Sequence, residues 1–411
     1  VKALASSQRF KFIVFFIFIY LIMFVFKDKL NVTLYQDEFH FFETTQKFSN
    51  YIIPPISYLE HYPELNTPLP FMIGGWWINL WGDTIQNLRI LTFLLSFAII
   101  ALFIWESPKE SNKLWVCVLG LWLFPNYYLC TVYYYTDMFA ILFLLGGIIS
   151  YLQGRHFLSG FLMVLAICCR QYMIAFPIAI LANEVVGIFL SQRYSLKKSL
   201  KELLSKKYLM VYILAFLSII PWVILWGGFA PADEMKRQHY DSTLTYKGGF
   251  VLYSSAVVAF YFVIPEILLM RKINVLSHFV RSNRVVSVLC LLVVGFLVCF
   301  TPAVQTYNPY FTWKFLGYLD MGLVKIGVPE FIKQIIFGLL MFLALIRFLS
   351  GGLNISTWVF IINGILLGKA QLSWDKYSLP TVVILWFLVL VEEKYFNQPS
   401  NLDKKYEISH V

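Results

Sequence analysis

Polar and apolar positions in this chain fall into long blocks instead of alternating. A helix needs about 17–25 predominantly apolar residues to cross a bilayer. On that rule the pattern predicts about twelve transmembrane helices, at 10–26, 89–105, 114–131, 138–153, 157–170, 172–190, 208–226, 249–270, 285–300, 332–349, 357–370 and 379–394. The stretch 68–82, PLPFMIGGWWINLWG, is short for a span. It is expected as an interfacial helix, with Trp76, Trp77 and Trp81 at headgroup depth. With the N-terminus on the cytoplasmic side, the segments 27–88, 132–137, 227–248, 301–331 and 371–378 fall outside. The fold class expected is an all-α polytopic membrane protein, one transmembrane domain over 1–411, with 27–88 as a long first external loop. No internal repeat, low-complexity tract or soluble domain is visible.

Composition sharpens this picture. Of 411 residues 59% are hydrophobic, 18% aromatic and only 14% charged, with a mean hydropathy of +0.70. A soluble domain carries nearer 25% charged residues, so the chain is a membrane protein. The formal net charge of +10 could point to nucleic acid, but the cations sit in short loops between spans. The larger share lies on the inner side, including Arg193, Lys197, Lys198, Lys201, Lys206 and Lys207, as the positive-inside rule requires. Cys117, Cys130, Cys168, Cys169, Cys290 and Cys299 lie almost entirely in apolar stretches, without metal-site or disulfide spacing. The apolar run Phe10 to Phe26 has no small-residue cleavage site after it, so no cleavable signal is expected.

The candidate chemistry lies in the external segments. VTLYQDEFHFFETTQKF, 32–48, places Asp37, Glu38 and His40 where the chain leaves its first span. These are either solvated loop residues or a general base at the membrane face with partners that orient a substrate. YYYTDMF, 133–139, adds Asp137 at a helix start, which reads as a helix cap or as a sugar contact beside tyrosines. CCRQYM puts Arg170 and Gln171 next to apolar runs. An arginine there needs a partner, either Asp137 or an anionic phosphate. Lys236, Arg237, His239 and Lys247 follow in one loop, and Asp375 and Lys376 precede the last span. There is no P-loop, GxSxG or HExxH. Acidic residues are almost absent from span centres, with Glu266 near an inner end the closest case. A proton- or sodium-coupled transporter needs ionisable groups at mid-membrane, so this pattern argues against one.

These stretches resemble the GT-C glycosyltransferases, and within them the dolichyl-phosphate-glucose alpha-1,2-glucosyltransferase family. DEFHFFETTQKF is similar to the family's Asp-Glu-x-Phe-His opening. YPELNTPLPFMI resembles its Trp-Asp-Pro-Lys-Ile-Thr-Thr-Pro-Pro segment, with Thr67 and Pro68 matching and Glu64 near the Asp-Pro site. YYYTDMFAILFLL and AICCRQYMIAFP resemble its Tyr-Tyr-Thr-acid and Phe-Arg-Gln-Thr-Asn helices. WGGFAPADEMKRQHY is similar to a Trp-Asn-Gly-Gly segment followed by Gly-Asp-Lys and a histidine. WDKYSLP resembles the last-loop motif of many bacterial GT-C enzymes. Leu69 and Pro70 alter the double proline, and Tyr172 and Met173 replace Thr-Asn.

The resemblance implies an inverting transfer of a hexose, glucose in this family, from a polyprenyl- or dolichyl-phosphate donor to a hydroxyl of a lipid-linked glycan in alpha-1,2 linkage. Asp37 is the implied catalytic base. Glu38, His40, Glu64, Thr67, Asp137 and Gln171 are the implied substrate contacts. Arg170, Lys236, Arg237, His239 and Lys376 are the candidates for the donor phosphate. Cations can neutralise a departing phosphate, so no cofactor is required and a divalent metal is optional. The implied partners are the lipid-phosphate sugar, a lipid-linked glycan acceptor and membrane lipids, with no nucleic acid. The implied setting is the endoplasmic reticulum membrane in a eukaryote or the plasma membrane in a prokaryote, with the site on the luminal or extracytoplasmic face. The alternatives are a GT-C transferase acting on protein, lipid or cell-wall glycan, and a lipid or sugar transporter.

Overall fold

The computed structural model describes residues 8–108, 113–192, 195–237, 246–271, 273–302, 304, 306, 317–370 and 372–395. Regular structure among them is helical, with no strand. Among the described residues six helices are long and apolar enough to cross a membrane: Arg9–Phe26, Ile85–Glu106, Gln171–Ser191, Leu209–Trp226, Gly248–Met270 and Glu330–Ser350. Two bent pairs raise the number to eight if each counts as one span. Other expected spans fall on the shorter helices Asp137–Leu152, His156–Ile167 and Ile355–Leu367, and on Leu379–Tyr395.

The breaks have local causes. Lys113–Trp122 and Pro125–Val132 meet at 75°, because Pro125 has no N–H to continue the ladder and starts a new helix instead. Gly248–Val258 passes through a π-turn at Ala259–Val263 before Pro265. That wider turn accommodates the missing proline hydrogen bond without a sharp kink. The bend of 100° at Asn283 turns Ile273–Ser282, apolar on one side and polar on the other, across the end of Arg284–Phe300.

Leu379–Tyr395 is the innermost helix. Every residue from Leu379 to Val391 is buried, Trp386 included. A helix apolar on all sides belongs either in lipid or in a core, and here it is the core. By contrast Phe18, Val25, Leu289, Leu292 and Ile224 are exposed along other helices, as lipid-facing positions are. At the end opposite Asp37, buried Glu266 is held by Arg347 through two hydrogen bonds, one of 2.7 Å. None of the six cysteines is in a disulfide.

The stretch 27–88 folds into helices Glu38–Phe48, Ile56–His61 and Leu69–Trp81. The last covers the stretch expected as an interfacial helix, with Leu80 and Trp81 exposed and Phe71, Gly74 and Gly75 facing inward. Gly75 lets it approach Glu38–Phe48 closely. A Cβ there would lie 2.8 Å from the Ser49 amide nitrogen and 2.9 Å from the Phe48 carbonyl carbon. Asp37 is thus placed by a helix seated directly on a second helix.

Candidate active site

Asp37 and Glu38 open one helix, and consecutive helical residues point about 100° apart. They therefore separate completely. Glu38 is fully buried. Arg89 grips both its oxygens, Nε to Oε1 at 2.6 Å and Nη2 to Oε2 at 2.5 Å. The backbone N–H of Tyr134 donates to Oε1 at 2.9 Å, and that of Tyr35 to Oε2 at 3.1 Å. A carboxylate so saturated has no capacity left for a sugar, so the expected substrate contact at Glu38 gives way to a structural one. Arg89 also donates to the carbonyls of Leu30, Val32 and Thr33. It thereby holds a loop in which Asp28, Lys29, Leu30 and Gln36 all have positive φ, a conformation that needs such support.

Asp37 keeps 29% of its side chain exposed and accepts a hydrogen bond from Lys376 Nζ at 3.1 Å. The two residues are 339 positions apart. Lys376 is itself buried, with its ammonium 3.7 Å from the Trp374 ring centre and 4.3 Å from that of Tyr135. The two π-faces and one carboxylate replace the water it has lost. The Lys376 ammonium is committed to Asp37 and two rings, and its side chain is 1% exposed, so little of it is open for the phosphate contact expected there.

Arg170 is likewise held by partners within the protein. It is 4% exposed. Nη2 donates to Asp137 Oδ2 at 2.5 Å and Nη1 to Asn66 Oδ1, while Nε is buried without a hydrogen-bond partner. Tyr172 O–H donates to the other Asp137 oxygen at 2.9 Å. Of the two partners the sequence left open for Arg170, the structure supplies Asp137. Gln171 Nε2 donates to the carbonyls of Leu65 at 2.5 Å and Phe229 at 3.0 Å. Thr67 O–H donates to Ile167 O at 2.8 Å. These bonds stitch segment 64–69 to the end of His156–Ile167, so Thr67, Gln171 and Asp137, expected as substrate contacts, are each bonded into the protein's own frame. Lys376 is near enough to Asp137 for their charges to interact, so this frame lies beside the Asp37–Lys376 pair.

Glu64 is buried and accepts from Thr44 O–H at 3.1 Å. Burial pushes its carboxyl up to about 8, with the negative charges of Asp37 and Glu234 adding to the effect and the Thr44 bond opposing it. At neutral pH it is mostly protonated and can donate as well as accept. Lys236 and His40 are exposed. Arg237 is 53% exposed and chelates buried Glu234 at 2.5 and 2.7 Å. Arg237 is also near enough to Glu64 for their charges to interact. His239 lies outside the described residues. No group of three or more His, Cys, Asp or Glu among the described residues is placed to hold a metal ion.

Arg89, Asn66, Tyr172 and Tyr135 are the residues that sequence reading missed. Arg89 had a signal, since a cation opening a long apolar helix needs a partner, but Asp83, Glu64 and Glu106 all lie nearer to it in sequence than Glu38. Asn66 and Tyr135 carry none, since each acts only through a contact distant in sequence.

The arrangement leaves one partly exposed carboxylate braced by a buried cation, a neutral carboxyl whose charge state responds to it, and exposed cations at Lys236 and Arg237. Such a set can accept a proton from a hydroxyl and meet a charged leaving group. The model of the DIE2/ALG10 family matches residues 68–311, which include Asp137, Arg170 and the 236–239 cations but neither Asp37 nor Lys376. No curated protein and no solved structure matches the chain. The match covers more than half of the chain, which therefore belongs to the DIE2/ALG10 family, the GT-C-type dolichyl-phosphate-glucose alpha-1,2-glucosyltransferases, and is an integral membrane glycosyltransferase acting on lipid-linked oligosaccharide.

Proposed function

We propose that this enzyme transfers glucose from dolichyl phosphate glucose to a hydroxyl of the lipid-linked oligosaccharide, with inversion to an alpha-1,2 linkage, at the luminal face of the endoplasmic reticulum membrane. The carrying observation is the pairing of partly exposed Asp37 with buried Lys376. Asp37 takes the proton of the acceptor hydroxyl as that oxygen attacks the anomeric carbon. The bond from the anomeric carbon to the phosphate oxygen breaks, and its electron pair leaves on dolichyl phosphate. Lys376 fixes the rotamer of Asp37, so the open carboxylate oxygen keeps its direction. Glu64, neutral at physiological pH, and His40 hydrogen-bond sugar hydroxyls. Lys236, Arg237 and His239 balance the charge of the departing phosphate. This leaves Asp137 and Arg170 to hold the floor of the site, and the chemistry requires no metal.

Asp37→Asn tests the base. Purified enzyme with dolichyl phosphate glucose and the lipid-linked acceptor is expected to lose roughly 100- to 10,000-fold in turnover while still binding donor. Near-normal turnover would remove Asp37 from the reaction. A parallel panel of mannosyl and other polyprenyl-phosphate donors checks the sugar, and preference for a donor other than glucose overturns that part of the reading.

A further inference from the structure

We propose that Asp375 is a positioning residue for the transfer: its buried carboxylate, held from two separate helices, sets the place of the Lys376 ammonium against Asp37. This inference rests on the reading of Asp37 as the base.

Residues 375–378 form a single 3-10 turn after extended Trp374. With three residues per turn, neighbours point about 120° apart. Asp375 and Lys376 therefore address different sides of one short segment. Lys376 reaches Asp37, while Asp375 is fully buried among groups from elsewhere. Tyr253 O–H, from helix Gly248–Val258, donates to Oδ1 at 2.6 Å. The backbone N–H groups of Tyr318 and Leu319, at the start of helix Tyr318–Lys325, donate to Oδ2 at 2.8 and 3.3 Å. A turn of four residues cannot hold a buried ammonium in one place unaided, and these bonds tie it to two longer elements.

The direction of support follows from what else holds those elements. Helix Tyr318–Lys325 has its own anchor. Asp320, buried, takes Lys333 Nζ at 2.9 Å on one oxygen and Thr306 O–H at 2.6 Å on the other. The Asp320 N–H also donates to the Tyr253 hydroxyl at 3.4 Å, so one phenol bridges both acids. Gly317 lets the backbone lie flat against that phenol, since a Cβ there would stand 2.0 Å from the Tyr253 oxygen. The helix is thus fixed without Asp375, and the Asp375 bonds add the 374–378 turn to it. Burial raises the Asp375 carboxyl to about 6 against the pull of its three donors. An apolar side chain would avoid that desolvation, so the acid is there for the geometry it imposes.

The test measures kcat, donor KM and apparent melting temperature for Asp375→Asn, Lys376→Met, the double variant and Tyr253→Phe, with dolichyl phosphate glucose and the lipid-linked acceptor. Asp375→Asn is expected to lower kcat on the order of 10- to 100-fold with little change in donor KM. Lys376→Met falls at least as far, and the double variant is no worse than Lys376→Met alone, because both changes act on one ammonium. Tyr253→Phe removes one of three donors and lowers kcat by a smaller factor, about 3- to 10-fold. Turnover of Asp375→Asn close to wild type overturns the inference, and so does a double variant showing the product of the two single losses. Should Asp375→Asn fail to fold, an unchanged kcat in Tyr253→Phe overturns it equally. If Lys376→Met alone keeps full turnover, the site reading itself falls, and the action of Asp375 through Lys376 falls with it.

Discussion

At the scale of single residues, partner supply decides role. Asp37 and Glu38 are adjacent acids, yet one is saturated by Arg89 and two backbone N–H groups and the other is open on one side. Glu64 makes the energetic argument measurable. Its carboxyl stands near 8 in the folded protein against an ordinary 4.5. Between those values the folded state keeps a proton that the unfolded state has lost. The stabilisation is therefore complete below about 4.5 and fades as pH rises through about 8. Melting curves for wild type should shift to lower temperature across that window, and Glu64→Gln should flatten the dependence and melt higher above pH 8. Parallel pH curves for the two proteins would show that Glu64 is charged throughout. The Asp137–Arg170 pair gives a second case. Removing one member leaves the other buried and unpaired, which costs about 3–5 kcal/mol. Arg170→Ala and Asp137→Asn should each melt well below wild type without donor present, and Arg170→Lys should not restore a fork that serves both Asp137 and Asn66. Full apo stability in Arg170→Ala would return Arg170 to the list of phosphate ligands.

At the scale of elements, apolar length placed the helices well and prolines marked several of their breaks. Each predicted span lies on a helix or a helix pair, because the length of an apolar run is a local property. What the runs did not reveal is which helix faces lipid. Leu379–Tyr395 reads like any other span, yet it is wrapped by its neighbours. The close seat of Leu69–Trp81 on Glu38–Phe48 was equally hidden, since a glycine pair in an apolar segment has many explanations. Gly75→Ala tests that seat. A methyl within 3 Å of the Ser49 and Phe48 backbone must push the two helices apart, at about 1–3 kcal/mol. It should also lower kcat by displacing Asp37, and a variant with unchanged melting and turnover would show that the seat can yield.

At the scale of the whole molecule, the site and the basic cluster at 197–207 are expected on opposite sides of the membrane. A cysteine placed at exposed Lys236 should react with an impermeant maleimide from the luminal side, and one at exposed Lys198 should not. The opposite labelling would put the acids and the exposed cations on the wrong face for a luminal transfer. The sequence by itself determined the class, the helices and the family, because hydropathy, helix length and short motifs are carried by neighbouring residues. It also singled out Asp37, Asp137, Arg170 and Lys376 as residues in need of an explanation, since charges beside apolar runs require partners. Only the tertiary structure decided which partner each one has. Lys376 reaches Asp37 across 339 residues of chain, Arg170 reaches Asp137 instead of open space, and Glu38 is turned inward onto Arg89. Such pairings depend on how helices far apart in sequence pack, and no local pattern encodes that distance.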